Sequence, residues 1–131
     1  MADQPRILVV DDDRVMLTLL VGVLKQEGFS QVDRATSGAE ALEMCRAAPP
    51  DVVFLDIEMP GMNGIETLEA MQKEGIPSKV VFVSASPTSQ YVTAAKEHHA
   101  AGFVVKPASP KIISDAVAKC LKEAGPEAGK Q

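Results

Sequence analysis

Val52-Val53-Phe54-Leu55-Asp56 is an apolar run of five that ends on a carboxylate. Pro49-Pro50 bounds it in front and Pro60-Gly61 behind, so it is too short for a helix and reads as a buried strand. An acid has no packing reason to close such a run. It belongs where the strand leaves the core, and in an open parallel α/β sheet the carboxyl ends of the strands are where sites form.

The same pattern recurs to either side. Arg6-Ile7-Leu8-Val9-Val10 runs into Asp11-Asp12-Asp13, Lys79-Val80-Val81-Phe82-Val83 ends on Ser84, and Gly102-Phe103-Val104-Val105 ends on Lys106-Pro107. Gln31-Val32-Asp33-Arg34-Ala35 is more polar and suits a strand nearer an edge. Between these runs the apolar spacing changes to three and four. Val15, Met16, Leu19, Leu20, Val23 and Leu24 predict a helix from Arg14 to about Gln26, stopped by Gly28. Ser37-Gly38-Ala39-Glu40 has capping-box spacing and opens a helix to about Ala47, with Ala41, Leu42 and Cys45 inward. Asn63 caps a helix carrying Ile65, Leu68 and Met71, which Gly75 and Pro77 close. The segment from Thr88 to His99 is helix-like but polar, so a thin apolar face and a mobile, exposed helix are expected. Ser109-Pro110 supplies an N-cap and a first-turn proline, and Ile113, Ala116, Val117, Cys120 and Leu121 make an inward stripe. Five strands alternating with five helices predict a parallel sheet wrapped on both faces, the doubly wound α/β class.

At 131 residues the chain has the size of one domain, and folding at this length buries roughly two thirds of its surface. The core is expected over about residues 6–121, with 122–131 a frayed tail. A net charge of -5 argues against non-specific binding to nucleic acid or to an anionic membrane. No stretch approaches the ~18 apolar residues of a membrane span, and the first residues lack the pattern of a signal peptide. Cys45 and Cys120, far apart and each in a helix-like apolar context, read as reduced core thiols, and the chain as a cytoplasmic protein.

Four strands thus deliver polar groups to their carboxyl ends: Asp11 and Asp12, Asp56, Ser84, and Lys106. Right-handed crossovers put those ends on one edge of the sheet. Three converging carboxylates repel one another in a partly desolvated cleft, and the remedies are raised pKa values or a hard divalent cation. Oxygen ligands with room for water favour magnesium. A lysine and a hydroxyl opposite would add positive charge and a donor, which with the cation suits the equatorial oxygens of a transferring phosphoryl group. Asp56 would then be the nucleophile, forming an acyl phosphate. Taken singly, each of these residues is ordinary: a strand-end acid usually caps a helix or faces water, and Asp13 reads as such a cap. Four strand ends carrying complementary chemistry are not ordinary. His98-His99 reads as a solvated face, and Met59 and Met62 as loop packing.

Val9-Val10-Asp11-Asp12-Asp13, Leu55-Asp56-Ile57-Glu58-Met59-Pro60-Gly61-Met62-Asn63-Gly64, Val83-Ser84-Ala85 and Gly102-Phe103-Val104-Val105-Lys106-Pro107 resemble the motifs of response-regulator receiver domains of two-component signalling. The resemblance runs from about Arg6 to Leu121, in order. It implies the flavodoxin-like, CheY-like strand order 2-1-3-4-5. It implies Asp56 as acceptor of a phosphoryl group from the phosphohistidine of a sensor histidine kinase or a histidine phosphotransfer protein. Asp12 and Asp56 would ligate Mg2+ with the carbonyl of Glu58, Asp11 acting mainly through water. Ser84 and Lys106 would bind the phosphoryl group. Phe103 stands at the family's switching aromatic, often tyrosine, so here the signal would travel by packing alone. Lys106-Pro107 resembles the family's cis peptide. Glu58 and Ser86 would tune the lifetime of the phosphate. The downstream partner would meet a face around the fourth helix, fifth strand and fifth helix, and would be either a separate effector protein or a fused output domain. Nothing after Leu121 reads as an output domain, so the chain is expected to be a stand-alone receiver or one cut from a longer protein.

Such a domain is a switch rather than an enzyme: it phosphorylates itself from a donor and loses the phosphate slowly. A rival reading is an aspartyl-phosphate phosphatase on external substrates. Those hydrolases typically carry a second Asp two residues past the nucleophile, where this chain has Glu58, and no cap insertion is present to hold a substrate. A flavin carrier on the same fold would need a hydroxyl- and glycine-rich loop where Asp11-Asp12-Asp13 stands.

Overall fold

Side chains alternate along a strand, so a central strand of a parallel sheet is apolar throughout while an edge strand need not be. In the computed structural model, which describes residues 4–123, β3 (Val52–Asp56) is buried at every position. β2 (Gln31–Ala35) is buried only at Ala35. With β1 (Arg6–Val10), β4 (Lys79–Ser84) and β5 (Gly102–Val105) they form a five-stranded parallel sheet in the order β2-β1-β3-β4-β5. The connecting helices are α1 (Arg14–Gln26), α2 (Gly38–Ala47), α3 (Gly64–Lys73), α4 (Ser89–Glu97) and α5 (Pro110–Glu123). This is the doubly wound order that the family resemblance implies.

The alternation sorts the core into two layers. Leu8, Val10, Val53, Leu55, Val80 and Phe82 meet α2 and α3 on one face. Ile7, Val9, Val52, Phe54, Val81 and Val83 meet α1 and α5 on the other. Cys45 lies in the first layer and Cys120 in the second, so the sheet separates two buried thiols that no disulfide joins. Burial pushes the Cys45 thiol above its ordinary value despite the nearby Arg6 charge, which leaves it unreactive.

The helix ends follow the local chemistry. Asn63 and Glu66 form a reciprocal capping box, Ser109 Oγ accepts from Ile112 N at 3.2 Å, and Ser37 Oγ accepts from Glu40 N at 3.1 Å. At α2 the return bond slips by one residue, because Glu40 Oε1 takes the backbone N–H of Thr36 at 2.8 Å. Gly64 opens α3 against the end of β3. A Cβ there would collide with the carbonyl oxygen of Asp56 and come within 2.8 Å of Ile57 Cα, so glycine permits this approach.

Three details differ from the sequence reading. The buried face of α1 is Leu17, Val21 and Leu24, whereas Val15 and Leu19 are 68% and 57% exposed. This helix is apolar around much of its circumference, so periodicity alone does not choose the face the sheet takes. Leu121 is exposed, one position past the stripe that ends at Cys120. Residues 122 and 123 continue α5 instead of fraying, and the rest of the expected tail lies outside the described residues. The thin face expected of α4 is present: Ala95 is its one buried residue.

Candidate functional site

Register brings the polar strand ends to one rim. Val10 pairs with Leu55 and Asp56 with Val83, so Asp11 and Asp56, the next residues of adjacent strands, stand side by side. Alternation gives Asp11 the face of Ile7 and Val9, Asp56 that of Val52 and Phe54, and Lys106 that of Val104. Ser84 instead continues the opposite face, after Val80 and Phe82. Asp11, Asp56 and Ser84 are only 3%, 5% and 0% exposed, while Asp12 faces solvent.

Ligand oxygens of Asp11, Asp12 and Asp56 all lie within 4.8 Å of one another. Lys106 Nζ donates to Asp11 Oδ2 at 2.7 Å and lies 3.5 Å from Asp56 Oδ1. The other oxygen of Asp11 accepts from Asp13 N at 2.9 Å, and Asp13 Oδ1 caps α1 by accepting from Val15 N at 2.9 Å and Met16 N at 3.3 Å. Asp13 is therefore the cap that its position suggested. The Lys106-Pro107 peptide bond is cis.

Burial, and then the charge of Asp11, push the Asp56 carboxyl up to about 7, an effect that Lys106 only partly offsets. For Lys106, burial works downward but is outweighed by the hydrogen bond to Asp11 and the charges of Asp56 and Asp11, so its ammonium is held above the ordinary lysine value. One cation therefore faces three acids, and the rim is short of positive charge. The donor set is all oxygen, two carboxylates are fixed by the sheet, and the third opens to water through Asp12. Those are the features a hard divalent cation needs.

Ser84 Oγ is turned into its own loop, accepting from Ser86 N at 3.0 Å and donating to Ser86 O at 3.2 Å. The structure thus brings together two residues to which the sequence reading gave separate roles. Phe103 is half-buried against the layer on the α2–α3 face. Glu58 is exposed, and its Oε2 accepts from the Tyr91 hydroxyl at 3.3 Å. Tyr91 received no role from the sequence: its partner lies 33 positions away, and the available hint was that it is the chain's single tyrosine, set just inside the α4 cap. Met59 is buried and Met62 half-buried in loop packing, and His98 pairs with Glu69 at 3.2 Å on the surface.

A parallel sheet in this order, with acids, a hydroxyl and a lysine converging on its carboxyl rim, defines a CheY-like α/β module. The chain belongs to the response regulator receiver domain family, whose description matches residues 7–118, and hence to two-component signalling. It is 34% identical over 117 residues to the chemotaxis protein CheY of Thermotoga maritima, covering 89% of this chain and 98% of that one. It is 41% identical over 108 residues to a protein-glutamate methylesterase/protein-glutamine glutaminase of Geobacillus kaustophilus, covering 31% of that longer protein. Among solved structures, the signal receiver domain of the putative response regulator NarL from Mycobacterium tuberculosis superposes with a TM-score of 0.85 at 34% identity. That match spans 92% of this chain and 98% of the other. Domains of this family are generally switches rather than enzymes. No helix among the described residues is long and apolar enough to cross a membrane.

Proposed function

We propose that the chain is a phosphorylation switch in which Asp56 accepts a phosphoryl group from the phosphohistidine of a sensor histidine kinase or a histidine phosphotransfer protein. The observation that carries this reading is the position of the Lys106 ammonium against both Asp11 and Asp56, with Asp12 completing the acidic cluster. In the transfer, an Asp56 oxygen forms the new P–O bond as the P–N bond to the donor imidazole breaks, and the imidazole leaves with the bonding electron pair. The nucleophile must be ionised, and because burial and Asp11 raise the Asp56 pKa, added positive charge favours that state. Mg2+ would be held by Asp12, Asp56 and the carbonyl of Glu58, with Asp11 acting mainly through water. When bound, it supplies positive charge to the acceptor carboxylate and the phosphoryl oxygens. Lys106, 3.5 Å from Asp56 Oδ1, would pair with a phosphoryl oxygen. Ser84 would trade its bond to Ser86 O for one to the phosphoryl group, drawing the β4–α4 loop inward. Phe103 would follow by packing.

The donor would dock on an apolar cleft beside the acidic rim. The cleft, of about 230 Å³ and lined by Met16, Leu19, Leu20, Lys106 and Pro107, opens beside Asp11, and Leu19 on its wall is largely exposed. The output face would be α4, β5 and α5, read by a separate effector protein or a fused domain. Nucleic acid and membrane are not expected partners. Residues of about 6–121 act as one receiver unit, cytoplasmic in keeping with its reduced thiols. The phosphate is lost slowly by hydrolysis, at a rate tuned by Glu58 and Ser86. Incubation with Mg2+ and acetyl phosphate tests the reading: wild type gains one phosphoryl mass, and chelator or Asp56→Asn prevents it. A wild type that stays unmodified in magnesium overturns it.

A further inference from the structure

Glu58 and Tyr91 tie the β3–α3 loop to α4 through their side chains. Glu58 sits two residues past Asp56, at the start of the β3–α3 loop, while Tyr91 lies in the first turn of α4. Their hydrogen bond, Tyr91 hydroxyl to Glu58 Oε2 at 3.3 Å, crosses from the acidic rim to the helix with one buried residue. The phenol is half-buried against the same layer as Phe103. It is also close enough to Asp56 for that carboxylate's charge to disfavour its ionisation, behind the larger effects of burial and of Glu58.

We propose that the Tyr91–Glu58 hydrogen bond is a latch holding α4 in the unphosphorylated position, and that phosphorylation of Asp56 opens it. The inference rests on the phosphoacceptor reading above and assigns Tyr91 as a positioning residue within it. A phosphoryl group carries about -1.5 to -2 charge where a carboxylate carried -1. The added charge appears two residues from Glu58, whose exposed side chain has room to swing into water. Such a swing takes the acceptor away from the Tyr91 hydroxyl. The Tyr91 ring is half-buried but its hydrogen bond is exposed, so the freed hydroxyl turns to water and the first turn of α4 loses this tie to the acidic rim. Little resists its movement, since Ala95 alone of the α4 side chains is buried. Phe103 has no hydroxyl with which to report on the rim, and Tyr91 supplies one from the neighbouring element.

Tyr91 is the only tyrosine and the chain has no tryptophan, so its emission reads the latch directly in the full-length protein. A phenol donating to a carboxylate is quenched. In Mg2+, wild-type emission should rise as acetyl phosphate adds one phosphoryl mass. Glu58→Gln should be brighter before phosphorylation and show no further rise. Because the latch exists only in the unmodified state, Tyr91→Phe should tighten binding of the phosphoryl mimic beryllofluoride by about two- to fivefold, the worth of one exposed hydrogen bond. A merely structural tyrosine would lower stability in urea and leave that affinity unchanged. Unchanged wild-type emission at full phosphorylation, or unchanged beryllofluoride affinity in Tyr91→Phe, overturns the latch alone. Failure to gain phosphoryl mass overturns the phosphoacceptor reading and the latch together.

Discussion

Asp56 and Tyr91 stand on elements of opposite character. β3 is the middle strand of the sheet, buried at each of its five positions and flanked by two apolar layers. α4 lies toward the β5 edge, is polar over most of its surface, and contributes one buried side chain. The chemistry is thus carried where the backbone is over-determined, and the expected change of shape where it is not. A reacting carboxylate gains from a fixed position relative to Asp11 and Lys106, since 1 Å of misplacement is costly to transfer. A segment that must move gains from being weakly held.

The largest effect expected from this contrast is on stability. Phe54→Ala should cost about 3–5 kcal/mol in urea unfolding, because the side chain is fully buried in the centre of the sheet. An equally large loss from a truncation of exposed α4 residues would show that α4 is held as firmly as β3.

The next effect concerns the charge stored at the rim. In the folded state Asp56 is raised from 3.8 to about 7, so its contribution to folding is fully present below pH 3.8 and is lost as pH rises through about 7. In metal-free buffer at pH 8, Asp56→Asn should therefore be more stable than wild type by about 1–3 kcal/mol, and the advantage should vanish near pH 4. Magnesium should raise the melting temperature of wild type more than that of Asp56→Asn. A pH-independent difference, or destabilisation by Asn at pH 8, would show that the acids are not clustered against a cost.

Smaller still is the hold on α4. Thr88 Oγ1 accepts from Tyr91 N at 3.2 Å, and Thr88→Ala should cost about 1 kcal/mol or less. Amide exchange sharpens the contrast at no cost in mutagenesis: α4 should exchange far faster than β3, and phosphorylation should alter the rates in α4 before those in β3. Equal protection of the two would contradict the division of labour.

The fold was legible because four apolar runs each ended on a polar side chain, a pattern that only strand ends at one rim explain together. The site was legible for the same reason, since register and alternation follow from those runs and place Asp11, Asp56 and Lys106 within reach of each other. The face of α1 was not legible, because Val15 and Leu19 are as apolar as Leu17 and Val21 and the choice is made by the sheet. The link from Ser84 to Ser86 was half legible, as both were singled out but their mutual bonds depend on the turn after β4. The Tyr91–Glu58 contact was not legible, because it joins two loop-proximal polar residues through tertiary structure with no periodic signal.

The proposed role that sets Asp56 apart from the other acids at the rim is acceptance of the phosphoryl group. It is tested most directly by reducing the phosphorylated protein with borohydride, which converts an acyl phosphate to an alcohol, and mapping the product peptide by mass spectrometry. With magnesium present, homoserine is expected at position 56 and at no other position. Reduction at Asp11 or Asp12, or a stable phosphate on His98 or Ser84, would contradict it.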